Sequence, residues 1–147
     1  MTKVGFTGTR FDWAITDIQK VWLAVELTKV IAENRLTKNQ FHHGDCIGAD
    51  ALAAEMANEM GFYVVRHPPL NPKFWANTVA DYSFPKRHYA LRNRDIVNEC
   101  EVLLALARGV ETGYPRSGTW QTIRYAIKVG KPVKICLPEG ELTNVRA

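Results

Sequence analysis

Apolar positions along this chain switch period in a regular order. Short β-branched or aromatic runs alternate with longer segments spaced for helix. "KVGFTG" is an apolar strand closed by a glycine turn. "TDIQKVWLAVELTKVIAENR" follows, with Ile18, Val21, Trp22 and Val25 at helical spacing and with Thr16 and Gln19 placed for a capping box. "QFHHGD" reads as a second strand, "IGADALAAEMANEM" as an Ala-rich helix ending at Gly61, and "FYVVRHPP" as a third strand stopped by prolines. Residues 71–83, "NPKFWANTVADYS", keep no period and read as a loop, a candidate lid. Pro85 suits the first turn of a helix through "KRHYALRNRDIVNE". "EVLLALA" is a fourth strand, "TWQTIRYAIKV" a helix stopped by Gly130, and "KPVKICLP" a fifth strand.

Apolar strands alternating with helices call for a parallel sheet covered on both faces. The expected fold is therefore α/β: a single doubly wound, Rossmann-like domain spanning residues 1–147, with a five-stranded parallel sheet in the order 3-2-1-4-5 flanked by helices. Ligands of such sheets bind beyond the carboxyl ends of the strands, where the strand order reverses. That rule directs attention to Thr7–Arg10, His43–Asp50, the Arg92–Asn93 helix and Tyr114–Thr122.

Composition narrows the classes. A length of 147 residues suits one domain with one core. The start of the chain, without a charged leader before a long apolar segment, and the absence of any bilayer-length apolar run predict a cytoplasmic protein with no membrane partner. Three scattered cysteines read as reduced thiols, not as a disulfide framework or zinc site. A formal charge of +4 favours anionic partners without specifying nucleic acid. His42 and His43 are consecutive on a strand and point to opposite faces. His67 reads as structural, His88 as a helix-surface residue, and no metal or cofactor is expected.

The strand ends carry one kind of chemistry. After the first strand, Gly8 allows close backbone approach, with the Thr9 hydroxyl and the Arg10 guanidinium beside it. After the second, Gly44 closes the strand and Gly48 opens a helix whose positive end favours an anion. Two readings stand for Asp50, a site carboxylate or a complement to that helix dipole; Asp45 is an N-cap or a site residue. Arg92 and Asn93 are a candidate clamp on phosphate and on ribose or base. Tyr89 either stacks on a base or packs. "RSGTW" supplies Arg116, Ser117, Gly118 and Thr119, with Trp120 inside the motif; Trp13, Trp22 and Trp75 read as packing.

"GFTGTR", "HGDCIGADALAAEMA", "VVRHP", "ALRNRDIV", "LLALA" and "SGTWQTIRYAIKVGKPV", in this order, resemble the SLOG superfamily, and most of all its small single-domain YspA/YpsA-like members. The similarity runs from about residue 4 to residue 138. It implies a Rossmann-like fold related to the LOG phosphoribohydrolases and to DprA, and a nucleotide or nucleotide-derived signal, such as an ADP-ribose or cyclic ADP-ribose relative, as ligand. It also implies a sensor or a sequestering protein of the anti-defence kind carried by phages. Where LOG enzymes carry two glutamates after their glycine–threonine pair, this chain has Gln121 and Thr122. Cleavage of an N-glycosidic bond needs a carboxylate, so the resemblance leans away from an enzyme. The alternative is a LOG-type phosphoribohydrolase using Asp45, Asp50 or Asp81. A second alternative is a DprA-like single-stranded DNA binder, against which stands the dispersal of the basic residues. The resemblance also implies a homo-oligomer. On the helix from Asp17 to Asn34, Trp22, Leu23, Leu27 and Val30 serve either a partner or the core.

Overall fold

The computed structural model describes residues 1–143. Its strands are β1 (Lys3–Gly8), β2 (Gln40–His43), β3 (Tyr63–Arg66), β4 (Tyr82–Ser83), β5 (Val102–Leu106), β6 (Val133–Leu137) and β7 (Gly140–Leu142). Four helices connect them: α1 (Asp17–Glu33), α2 (Ala49–Glu59), α3 (Tyr89–Glu99) and α4 (Gly118–Lys128). All strands join one sheet in the order β4-β3-β2-β1-β5-β6-β7.

The expected five-stranded sheet is thus a seven-stranded one. The five strands read from the sequence form its middle, in the expected order. A two-residue parallel strand, β4, extends one edge, and β7 returns antiparallel on β6 at the other.

Alternation along the strands builds two cores. On β5, Leu104 and Leu106 face a cluster with Leu23 and Leu27 of α1 and Ala53 and Ala57 of α2. Leu103 and Ala105 face the opposite way, towards Ile96 and Val97 of α3 and Trp120 and Ile123 of α4. The sheet is therefore sandwiched between α1/α2 and α3/α4.

Helix α1 begins at the capping box expected from Thr16 and Gln19. Its buried face is nevertheless Gln19, Leu23, Glu26 and Leu27, with Trp22 and Val30 packed at the margin. Ile18, Val21 and Val25 stand in solvent. Two polar residues fix this rotation. The Gln19 amide donates to the carbonyls of Ala107 (2.8 Å) and Cys136 (2.9 Å) at the ends of β5 and β6. Glu26 accepts from Lys134 of β6 at 2.7 Å.

Helix α3 starts at Tyr89, not at Pro85; His88 is its N-cap, with its ring accepting the Ala90 N–H. No helix among the described residues is long and apolar enough to cross a membrane.

Candidate functional site

A cleft of about 660 Å³ opens at the carboxyl edge of the sheet, over the β1–β5 boundary where the strand order reverses. Gly8, Thr9 and Arg10 form one lip, and Arg116, Ser117, Gly118 and Thr119 face them. Gly44, Asp50, Arg92 and Asn93 line the floor and the α3 side.

The facing lip is the N-terminus of α4, the positive end of its helix dipole. The Ser117 hydroxyl caps α4 by accepting the Trp120 N–H, while the N–H groups of Gly118 and Thr119 have no acceptor inside the helix. Gln121 lines the cleft, its amide donating to the Arg116 carbonyl at 3.1 Å. Thr122 turns its hydroxyl back on Gly118 of its own helix. Neither offers a carboxylate.

The start of α2 is occupied differently. Gly48, at φ +93°, is its N-cap, and a Cβ there would lie 2.4 Å from the Arg10 backbone, so Gly48 serves the packing of α2 beneath the β1 loop. The Ala49 N–H is spent on the Thr9 carbonyl. Asp50 already brings its carboxylate there, accepting the Cys46 N–H at 3.2 Å.

Besides Gly48, three more sequence-selected residues, Asp45, Trp120 and Asp81, stand outside the cleft. Asp45 is not an N-cap. It is wholly buried in left-handed backbone, φ 52°, and its carboxylate receives the Trp75 indole and both the N–H and hydroxyl of Thr78. Its bonds clamp segment 71–83, which is therefore a fixed wall delivering Phe74 and Asn71 to the cleft, not a loose lid. Trp120 is buried, its indole N–H donating to the Gly109 carbonyl, and it packs in the α3/α4 core. Asp81 sits at the edge of β3, where its carboxylate accepts the Val64 N–H.

Arg92 reaches the cleft with most of its donors already committed. It donates to the carbonyls of Gly44 and His67, and to Asn93 Oδ1 at 2.8 Å. It is a buried strut tying α3 to the β2 and β3 ends, with the Asp50 carboxylate beside it. Burial pushes the Asp50 carboxyl up to about 6 against the pull of Arg92. Burial and Asp50 also raise the Cys46 thiol, so it is not an activated nucleophile.

The sequence reading missed Arg108, at the end of β5, with Tyr114 and Phe11 beside it. Its signal was available: Arg108 follows its strand as Arg10 follows β1. Arg10, Arg108 and Arg116 form no salt bridge among the described residues, whereas Arg66, Arg87 and Arg124 all do.

No protein-family model matches the sequence, and no curated protein matches it either. Among solved structures, the X-ray structure of TM1055, a structural-genomics target, matches with a TM-score of 0.64 at 20% identity, over 90% of this chain and 72% of that one. At that identity the likeness shows the fold alone, a Rossmann-like α/β sheet.

Proposed function

We propose that the cleft binds a nucleotide or nucleotide-derived anion, and that the protein acts as a sensor of that molecule or sequesters it. The observation that carries this reading is the convergence of Arg10, Arg108 and Arg116, without carboxylate partners among the described residues, on a cleft that also receives the α4 N-terminus. Unpaired guanidinium groups around free backbone N–H groups are the chemistry of phosphate recognition. The cleft volume lies within the range of small-molecule sites, and Tyr89, Phe11 and Tyr114 supply aromatic surface for a base.

A LOG-type hydrolase is the second reading, favoured by Asp50. Of the three candidate aspartates it is the one that lines the cleft, and a carboxyl titrating near 6 suits proton transfer at neutral pH.

One experiment separates the two. Purified protein is incubated with AMP, ADP-ribose, NAD and cyclic ADP-ribose isomers, stripped of unbound material and heat-denatured, and the released molecules are identified by mass spectrometry. Intact nucleotide in the released fraction supports the sensor or sequestering role. Free base and ribose phosphate accumulating before denaturation, and lost in Asp50→Asn, support the hydrolase. No nucleotide in the released fraction together with no products in the mixture sinks both.

A further inference from the structure

The arginines of the cleft are not equivalent. Arg116 is exposed, with no aromatic ring against it among the described residues. Arg10 and Arg108 are held by aromatic faces. The Arg10 guanidinium lies 5.3 Å from the Phe11 ring centre and 4.7 Å from that of Phe74. The Arg108 guanidinium lies 4.9 Å from Phe11, 4.8 Å from Trp13 and 5.1 Å from Tyr114. Phe74–Arg10–Phe11–Arg108–Trp13/Tyr114 is therefore one continuous ladder along the β1 and β5 ends. Gly109 makes its last step fit, because a Cβ there would lie 2.4 Å from the Tyr114 ring.

Stacking fixes the plane of a guanidinium and leaves its N–H edge available. Arg10 and Arg108 donate no hydrogen bond to a side chain or carbonyl among the described residues, so both forks remain free for a ligand. Because they share Phe11, their charges stand within roughly 10 Å of each other, and neither forms a salt bridge among the described residues. A fork prefers an oxyanion that accepts two N–H bonds at once. Two forks present two separate pairs of N–H donors, and two linked phosphates offer each pair its own two oxygens.

We infer that Arg10 and Arg108 grip a diphosphate, so that the ligand class is a pyrophosphate-bearing nucleotide and not a nucleoside monophosphate. Arg116 and the α4 N-terminus then contribute a general attraction for anions without counting phosphates. The inference rests on the cleft being the ligand site proposed above, and deepens it.

The test is titration calorimetry of the full chain, without divalent metal, against matched pairs: phosphate and pyrophosphate, AMP and ADP. ADP is expected to bind at least tenfold more tightly than AMP, and pyrophosphate more tightly than phosphate. Arg108→Ala and Arg10→Ala are expected to bring the ADP-to-AMP ratio close to one, and Arg108→Lys, which keeps the charge and loses the fork, to restore only part of it. Arg116→Ala is expected to weaken both nucleotides by the same factor. Thermal melts of each variant check the fold. Equal binding of ADP and AMP overturns the inference, as does a ratio that survives both alanine variants or collapses equally in Arg116→Ala. A pyrophosphate preference dependent on Arg108, with no nucleotide bound, keeps the diphosphate grip and removes the nucleotide reading. Binding of none of the four probes removes both.

Discussion

The buried carboxylate of Asp45 accepts the indole N–H of Trp75 at 2.6 Å, across thirty positions of chain. The same carboxylate takes the Thr78 N–H at 2.9 Å and the Thr78 hydroxyl at 2.6 Å, with Arg66 3.5 Å away. A segment with only a 3₁₀ turn before β4 is thus tied to the loop after β2 by three hydrogen bonds. Asp45→Ala leaves these donors without their acceptor, and the expected loss is about 3 kcal/mol. Limited proteolysis within 71–83 is expected to follow, since Phe74 and Trp75 lose their anchor. Asp45→Asn retains an acceptor and tolerates the left-handed backbone, so it is expected to sit between Ala and wild type in urea denaturation. Equal stability of all three proteins would show the clamp to be idle.

Gln19 gives a second stability prediction. Its amide reaches two strand ends, but the Cys136 carbonyl also accepts the Ala107 N–H, so Gln19→Leu orphans chiefly the Ala107 carbonyl. The capping-box bond to the Thr16 N–H is lost as well. A destabilisation of about 2 kcal/mol is expected, readable as a lower urea midpoint with unchanged slope. An unshifted midpoint would remove Gln19 as the residue that orients α1.

How much of this was legible in the sequence depended on whether a local pattern had a single solution. The central strands β1, β3, β5 and β6 were readable as short runs rich in β-branched, aromatic or aliphatic residues, while β2, Gln-Phe-His-His, was marked by the glycine that closes it. β4 was not, because Tyr82 and Ser83 are both exposed and make a ladder of two residues. The face of α1 was misread because the helix is apolar around much of its girth, and the choice falls to Gln19 and Glu26, which bond across it. Gly8–Arg10 and Arg116–Thr119 were selected by the strand-end rule together with their small-residue turns, and both stretches line the cleft. Arg108 escaped because "RGVETGY" lacks the small-residue turn that marked its neighbours. The commitment of Arg92 to carbonyls could not be seen at all, since those carbonyls come from distant loops.

Acid sensitivity is expected from three buried histidines. Burial lowers His42 and His43 to about 4 and His67 to about 3, from 6.5. His42 and His67 share a ring-to-ring hydrogen bond of 2.9 Å, which the doubly charged pair cannot make. Because the folded state holds these rings neutral, their contribution is full above pH 6.5 and is lost as pH falls towards 4. Asp50 works the other way: its raised carboxyl takes up a proton below about pH 6 and returns part of that loss. The net fall between pH 7 and pH 5 is on the order of 4 kcal/mol. Urea midpoints at pH 7, 6 and 5 measure it, and a flat profile would contradict the buried neutral state.

Arg92, on a helix, and Arg116, in a strand-end loop, are both directed to the cleft by the sequence as candidate phosphate contacts, and the structure separates them. Arg92 is 6% exposed, and its removal orphans the Gly44 and His67 carbonyls and leaves the Asp50 carboxylate without its neighbouring positive charge. Arg92→Ala is therefore expected to cost about 3–5 kcal/mol of stability, with any loss of ligand following from the fold. Arg116 has no ion pair among the described residues and is exposed at the α4 N-terminus, so Arg116→Ala is expected to leave the melting temperature unchanged. Its effect appears in binding, as a loss of about 1.5–3 kcal/mol, roughly ten- to hundredfold, for one charge-assisted contact. Calorimetric titration with ADP-ribose, run beside thermal melts of both variants, decides the matter. A destabilised Arg116→Ala, or an Arg92→Ala that melts like wild type, would mean that the division between strut and ligand contact is drawn in the wrong place.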